Sequence, residues 1–194
     1  MTYEEMLRLK GIFLAPYMQL ATALIGKTRE GGGNMFRHQI DTMATLIDYG
    51  HIDSVLLKAS VVHDLIEDIP DFNRNLILSV DFESPAVYEL VMQVTRFQGE
   101  AKAEFLTRIL ETGSRQAKIL KVADRISNMI ALGFTINTEF IQRYAEETAR
   151  YIYPIAEEVD KSMLSELKSL VESRQRCLRA IVSESNQANS GEWW

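Results

Sequence analysis

The sequence predicts an all-α fold with about eight or more helices around one core. Apolar residues recur at helical spacing along most of the 194 residues, and no segment shows the alternation of apolar and polar residues that is typical of a strand. Hydrophobic residues make up 46% of the chain, which is ordinary for a globular protein. A chain of this length suits one domain rather than two, and we assign residues 1–183 to it.

The N-terminal half contains three predicted helical regions. Residues 3–25 show helical spacing that Pro16 should divide, because proline removes a helix hydrogen bond. Residues 35–49 form a second amphipathic segment. A third helix should begin after a capping Asp53 and run without a break until just before Pro70.

The C-terminal half continues the helical pattern. Ser114 is a good capping residue for a long helix that extends to about residue 132. Residues 184–194 are polar until Trp193 and Trp194, and we expect them to form a flexible tail. The long last helix could serve in self-association as a homo-oligomer. The remaining predicted helices cover residues 73–80, 86–96, 101–111, 138–152 and 155–182.

Charge and composition exclude several classes of function. The net charge of −6 argues against a surface that coats nucleic acid, although it allows a small anionic substrate bound by a local group of cations. No apolar run approaches the roughly 18 residues of a membrane span. The single cysteine, Cys177, cannot form an internal disulfide. We therefore expect a cytoplasmic protein with no nucleic-acid or membrane partner.

Residues 61–68 concentrate ionisable groups within an apolar segment. The four groups are His63, Asp64, Glu67 and Asp68. On one continuous helix, each residue of the first pair would stack over one of the second pair, since residues four apart share a face. Neighbouring carboxylates repel one another, so partial burial of this group favours a bound cation.

A metal site needs ligands from further segments of the chain. His38 and Asp124, each on a different predicted helix, would add to His63 and Asp64 to give two imidazoles and two carboxylates. Such a mixed nitrogen and oxygen set suits manganese, iron or zinc better than calcium. Taken alone, His38 could instead be a core histidine, and Asp124 could form a local ion pair with Arg125.

The same residues resemble a known family. His38, His63-Asp64 and Asp124 are similar to the ligand set of the HD-domain metal phosphohydrolases, whose fold is a helical bundle. The run from His63 to Asp68 looks like the active-site sequence of the RelA/SpoT-type alarmone hydrolases. The resemblance covers roughly residues 20–157. Further matching segments are Val94-Thr95-Arg96, Lys121 to Met129, Arg143 to Thr148, and Pro154 to Ala156.

The resemblance implies a small stand-alone alarmone hydrolase of the stringent response. Such an enzyme uses Mn²⁺ to remove the 3′-pyrophosphate from guanosine tetraphosphate or pentaphosphate (ppGpp or pppGpp), which leaves GDP or GTP. Glu67 and Asp68 would handle the protons of the attacking water and of the leaving oxygen. The metal would be held by His38, His63, Asp64 and Asp124.

Four further residues are implied as substrate contacts. Arg29 would stack on the guanine base, and Lys27 would attract phosphate. Asn128 would reach the ribose or its phosphates, and Arg143 would contact the pyrophosphate. Each has a plainer alternative. Arg29 could be an exposed loop charge, and Lys27 a solvated lysine. Asn128 could be a helix-surface amide, and Arg143 could form a structural ion pair.

The chain departs from the family pattern at three places. Gln39 stands where the family usually has proline, and Ser127 replaces a common aromatic residue or histidine. Three consecutive glycines, residues 31–33, predict a mobile edge to the site. Two rival functions therefore stay open. One is another HD phosphohydrolase, acting on a nucleoside monophosphate or the 2′-phosphate of NADPH, and the other is a non-catalytic nucleotide-binding module.

Overall fold

Twelve α-helices supply nearly all the regular structure of residues 1–189, the part of the chain that the computed structural model describes. The only β-type pairing within these residues is an isolated bridge between Thr28 and Asn34. The predicted all-α class is therefore confirmed. The helices are α1 (Tyr3–Lys10), α2 (Ala15–Ala21), α3 (Met35–Asp48), α4 (Ser54–Val62), α5 (Leu65–Asp68), α6 (Asn75–Leu78), α7 (Ser84–Val94), α8 (Lys102–Thr112), α9 (Arg115–Ala131), α10 (Thr138–Glu147), α11 (Tyr153–Val159) and α12 (Lys161–Asn189).

Local sequence signals set where several helices begin. A carboxylate oxygen of Asp53 accepts a hydrogen bond from the amide of Leu56 at 2.9 Å, and Ser114 Oγ accepts one from the amide of Ala117 at 3.2 Å. Both residues were predicted as caps, and both predictions are confirmed. Pro16 lies in the first turn of α2, where a missing amide hydrogen costs nothing, and the chain is divided between α1 and α2 as expected.

Helix α9 lies at the centre of the molecule, where it packs against α3, α7, α11 and α12. Twelve of its 17 residues are buried, so its sides are covered by protein almost all round. Polar groups on such a helix must find partners inside the protein, because burying them unpaired is costly. The buried polar residues of α9 are Lys118, Asp124, Arg125 and Ser127.

The helix predicted to run unbroken from residue 53 to Pro70 is interrupted at His63 and Asp64, and this expectation was wrong. Helix α4 ends at Val62, and α5 begins only at Leu65. The carbonyl of Ser60, which would accept from the amide of residue 64 in a continuous helix, accepts instead from His63 Nδ1 at 2.7 Å. The interruption lets His63 and Asp64 point towards α3 and α9.

Two breaks also divide the predicted C-terminal helices. The last turn of the predicted helix 138–152 is π-helical over Thr148–Ile152. The predicted helix 155–182 stops at Val159 and restarts at Lys161, because Asp160 is extended and its Oδ1 caps the amides of Ser162 and Met163 at 2.8 and 3.1 Å.

Helix α12 continues through Asn189, beyond the predicted end at residue 182. The rest of the predicted tail, with Trp193 and Trp194, lies outside the described residues. Among the described helices, none combines the length and the apolar character that crossing a membrane requires.

Candidate metal centre and adjoining cavity

The four predicted ligand side chains converge from three parts of the fold. Helix α3 carries His38, the α4–α5 junction carries His63 and Asp64, and α9 carries Asp124. His38 Nε2 lies 3.0 Å from Asp124 Oδ1 and 3.4 Å from Asp64 Oδ2. His63 Nε2 lies 3.3 Å from Asp64 Oδ1 and 3.9 Å from Asp124 Oδ1. Ligand atoms of the two histidines and Asp124 all lie within 4.8 Å of one another.

Both imidazoles are anchored through Nδ1, which leaves Nε2 directed at the cluster. His38 Nδ1 lies 2.8 Å from Ser127 Oγ, and His63 Nδ1 donates to the Ser60 carbonyl at 2.7 Å. His63 Nε2 is buried and makes no hydrogen bond to any described residue. A histidine whose outer nitrogen is tied down and whose inner nitrogen is unpaired is the usual arrangement of a metal ligand. The donor set therefore fits a divalent cation.

Other side chains orient the two carboxylates. Gln39 Nε2 donates to Asp64 Oδ2 at 2.7 Å, and Lys121 Nζ donates to Asp124 Oδ2 at 2.7 Å. Burial alone would raise the pKa of Asp124, but Lys121 and the two histidines hold that pKa well below its usual range. Asp124 is therefore an anion. Gln39, a departure from the family pattern, supports a carboxylate of the cluster.

The two histidines differ in their protonation. Burial lowers the pKa of His38 below its usual value. Burial also acts to lower the pKa of His63, but the carboxylates of Asp64 and Asp124 outweigh it and raise that pKa to about 9. Without a metal, the carboxylates therefore retain a proton on His63, and a bound cation would take its place.

The acidic pair beyond the ligands lies beside the cluster, where Glu67 lines both of two adjoining cavities and Asp68 lines one of them. Glu67 is held by Arg96, whose amide donates to Glu67 Oε2 at 3.2 Å and whose guanidinium lies 3.7 Å from Oε1. Burial is the main cause that raises the pKa of Asp68 to about 6, with Asp64 and Glu67 adding to the effect. The two carboxylates thus have different environments, and Asp68 titrates near neutral pH.

Two of the four predicted substrate contacts meet at the cavity. The guanidinium of Arg29 donates to Asn128 Oδ1, and Asn128 Nδ2 donates in turn to Asp124 Oδ1. Arg29 and Asn128 both line the cavity. They connect the glycine-rich loop to a predicted metal ligand.

The other two predicted contacts lie elsewhere. Lys27 Nζ donates to the backbone carbonyl of Asp68, so it supports the acidic segment and does not line either cavity beside the cluster. Arg143 has a side chain that is 71% exposed, with its guanidinium 3.9 Å from Glu30 and outside both cavities. Its position matches the ion-pair alternative better than a pyrophosphate contact.

Two adjoining cavities, of about 180 and 330 Å³, open beside the cluster. The first reaches His38, Asp64 and Asp124, and the second reaches Asp68. Residues common to both walls are Arg29, Met35, Glu67, Lys102, Asn128 and Tyr144.

Five polar residues that line the first cavity were absent from the predicted site. They are basic, apart from one tyrosine. Lys121 and Arg125 lie close to Asp124 in the segment 121–129, which carries the family resemblance. The sequence therefore offered a reason to include them in the site. Arg96 and Tyr144 also lie in segments that carry the resemblance, residues 94–96 and 143–148, so Lys102 is the one of the five that gave no such signal. The five are Arg96, Lys102, Lys121, Arg125 and Tyr144.

Comparisons with known proteins agree with this architecture. No protein-family model matches the chain. The bifunctional (p)ppGpp synthase/hydrolase SpoT of Escherichia coli K12 is 26% identical over 181 residues, which cover 86% of this chain and 25% of that protein. The guanosine-3′,5′-bis(diphosphate) 3′-pyrophosphohydrolase of Haemophilus influenzae is 28% identical over 141 residues, which cover 68% of this chain and 20% of that protein. The chain thus spans only a quarter or less of these relatives.

A solved structure gives the same picture of the fold. The chain is similar to a metazoan orthologue of SpoT, described as hydrolysing ppGpp, with a TM-score of 0.67 and 22% identity. The match covers 83% of this chain and 94% of that one. At this identity the likeness bears on the fold alone. The sequence relatives and this structure thus agree that the chain is similar to one segment of SpoT-type proteins and has an all-α fold like that of the metazoan orthologue.

Proposed function

We propose that the chain is a metal-dependent hydrolase that removes the 3′-pyrophosphate of ppGpp or pppGpp and leaves GDP or GTP. The observation that carries this proposal is the cluster of two imidazoles and two carboxylates at the wall of a cavity that also holds cations. Relatives named as 3′-pyrophosphohydrolases support the choice of nucleotide.

The residues proposed to hold the metal are His38, His63, Asp64 and Asp124. Their fit to a cation rests on the unpaired, buried Nε2 of His63 and on the opposed carboxylate oxygens. A divalent ion bound there would polarise a phosphoryl oxygen and lower the pKa of a nearby water. We choose manganese because the family resemblance implies it, and imidazole and carboxylate ligands together are compatible with it.

The cations of the cavity are proposed to bind the nucleotide. Arg29 lies at the edge of the glycine-rich loop, where its planar guanidinium can stack on a base. Asn128, one turn beyond Asp124, can turn from Arg29 to a ribose or phosphate oxygen. Lys27 and Arg143 are left out of this part of the proposal, because neither lines the two cavities.

Glu67 and Asp68 are proposed to move the protons. Hydrolysis joins a water oxygen to phosphorus and breaks the bond from that phosphorus to the ribose 3′-oxygen. One proton leaves the water, and one reaches the leaving oxygen. With a pKa of about 6, Asp68 can accept a proton near neutral pH. Glu67, held in place by Arg96, can orient the water.

A substrate panel tests the proposal. The purified protein is stripped of metal, reloaded with Mn²⁺, Zn²⁺ or Mg²⁺, and assayed with ppGpp, pppGpp, NADPH and nucleoside monophosphates. We expect Mn²⁺-dependent release of pyrophosphate from ppGpp with a kcat/KM at least about 10-fold above the other substrate classes. Phosphate release from NADPH or a monophosphate alone would favour another HD phosphohydrolase. Nucleotide binding without turnover would favour a non-catalytic module.

Two variants tie the activity to the cluster. Asp64→Ala should lose bound metal and at least about 100-fold in kcat, because it removes a proposed ligand. Asp41→Ala, which changes an exposed carboxylate on α3, is the matched control and should retain both. Full activity in Asp64→Ala would refute the metal site.

A cytoplasmic location, in keeping with the lone exposed Cys177, belongs to the same proposal.

A further inference from the structure

Glu147, the last residue of α10, touches two cations of the cavity wall. Its Oε1 accepts from a terminal nitrogen of Arg125 at 2.7 Å and lies 3.2 Å from Lys102 Nζ. Its side chain is only 17% exposed. Neither the ligand cluster nor the proton-handling pair includes any of these residues, so the mechanism leaves the arrangement unexplained.

The backbone beside Glu147 is unusual. The π-helical turn Thr148–Ile152 begins at the next residue, and such turns are rare and frequently occur at functional sites. Thr148 Oγ1 accepts from the other terminal nitrogen of Arg125 at 3.1 Å. The guanidinium of Arg125 lies 4.1 Å from the centre of the Tyr144 ring. The end of α10 therefore encloses Arg125, the residue that follows the predicted ligand Asp124.

Lys102 is the more informative of the two cations. Its side chain is 44% exposed and lines both cavities. Its Nζ lies 4.9 Å from the centre of the Tyr144 ring. Water could solvate this ammonium group, so folding does not require its contact with Glu147. Holding a long side chain in one place costs conformational entropy. The contact has a clear use if a ligand in the cavity needs a cation at that point.

The charges nearest to Lys102 act on its protonation in opposite directions. Partial burial lowers its pKa, and the positive charges of Arg125 and Lys121 on α9 lower it further. The carboxylate of Glu147 acts in the opposite direction. Tyr144 presents only its ring to the ammonium group. Glu147 is thus the neighbouring group that favours the charged form of Lys102.

We propose that Glu147 is a positioning residue, which holds Lys102 at the cavity wall as a cation and so sets the affinity for an anionic substrate. The inference rests on the proposed function and extends it to the binding of the phosphate groups. Arg125, buried and paired with the same carboxylate, keeps Glu147 in place from the side of α9.

The test compares Glu147→Gln with the conservative Glu147→Asp and with Lys102→Met. We expect Glu147→Gln to raise KM for the best substrate of the panel about 5-fold or more, with kcat changed less than about 2-fold. Glu147→Asp should recover part of the loss. Lys102→Met should raise KM by a similar factor, and the double variant should lose less than the two single losses combined, because the two changes share the loss of the contact between Glu147 and Lys102.

A second readout needs no substrate. In protein labelled with ¹³C-lysine, the ε-carbon shift of Lys102, assigned from its absence in Lys102→Met, reports its pKa. Glu147→Gln should lower that pKa, because the opposing negative charge is gone. Glu158→Gln is the matched control, since Glu158 pairs with Lys118 at 2.7 Å, and neither residue lines the two cavities.

The outcomes separate the two proposals. If the panel finds no turnover, the lysine titration still decides whether Glu147 acts on Lys102. An unchanged Lys102 pKa in Glu147→Gln would overturn the inference. If Glu147→Gln does not fold, the soluble Lys102→Met decides in its place: an unchanged KM would overturn the inference, and a raised KM would support it.

Discussion

The carboxylate of Asp68 has a strongly raised pKa. Burial, Asp64 and Glu67 raise its pKa from 3.8 to about 6, while Lys27 acts to lower it. In the unfolded chain this burial is absent, so the folded state favours the protonated form. A carboxylate with this property can serve as a general base, and it also costs stability whenever it is ionised.

Asp68→Asn should therefore lower activity and raise stability. We expect kcat to fall about 100-fold or more, because proton transfer is lost, while metal content stays unchanged. The wild-type folded state loses stability as pH rises from the unfolded pKa through the folded pKa of about 6. The variant should thus gain roughly 1–2 kcal/mol over wild type at pH 8, after allowance for solvent screening, and nothing at pH 3.5.

Thermal melts of metal-free protein between pH 3.5 and pH 8 would measure the difference. Asp41→Asn, which changes an exposed carboxylate, is the control and should show no such trend. A stability difference that is independent of pH would contradict the assigned pKa.

The glycine-rich loop, residues 26–34, forms a hydrogen-bonded hairpin at the edge of the second cavity. The amide of Arg29 donates to the carbonyl of Gly33 at 3.2 Å, and the amide of Gly32 donates to the carbonyl of Arg29 at 3.0 Å. At Gly32, φ is +95°, and an added Cβ would lie 3.0 Å from Phe134 Cβ. The hairpin is thus seated against the turn that follows α9, which sets the reach of Arg29 into the cavity.

Gly32→Ala should displace this hairpin, whereas Gly33→Ala is its matched control. Both glycines have positive φ, +95° and +83°, so each substitution should cost about 1 kcal/mol of stability. Only at Gly32 does the new methyl group also meet a neighbour. Gly32→Ala should therefore raise KM several-fold more than Gly33→Ala does, and it should also melt at a somewhat lower temperature. Equal KM values in the two variants would contradict a positioning role for the hairpin.

At the scale of the whole molecule, an acidic protein presents a basic cavity. The net charge is −6, yet the cavity next to the cluster is lined by five cationic side chains and three carboxylates. A divalent ion at the cluster would add further positive charge. An anionic substrate is therefore favoured locally, although the protein as a whole repels polyanions.

Metal binding should stabilise the entire fold, because its proposed ligands come from α3, the α4–α5 junction and α9. Mn²⁺ at about 100 times its Kd should add about 2.7 kcal/mol, which for a chain of this size corresponds to a rise in Tm of roughly 5–10 °C. The shift should shrink from pH 8 to pH 6, since the raised pKa of His63, about 9, makes a proton compete with the metal. Calorimetry with and without EDTA would measure it. An equal shift in Asp64→Ala would contradict the ligand assignment.

The sequence by itself determined the fold class, most helix starts and the candidate ligands. Helical spacing of apolar residues and short-range caps such as Asp53 and Ser114 are local properties, so they can be read along the chain. The density of His63, Asp64, Glu67 and Asp68 also marked the site before any contact was known. These features depend only on neighbours within a few residues.

Only the tertiary structure decided how those residues act together. The break at His63 follows from a side chain that competes with a helix hydrogen bond, and the roles of Gln39 and Ser127 follow from contacts with Asp64 and His38. Lys102 reaches the cavity, while Arg143 points to solvent, because packing brings together residues that are far apart in sequence. Spacing along one helix cannot reveal which cations share a wall, since that depends on how α8, α9 and α10 meet.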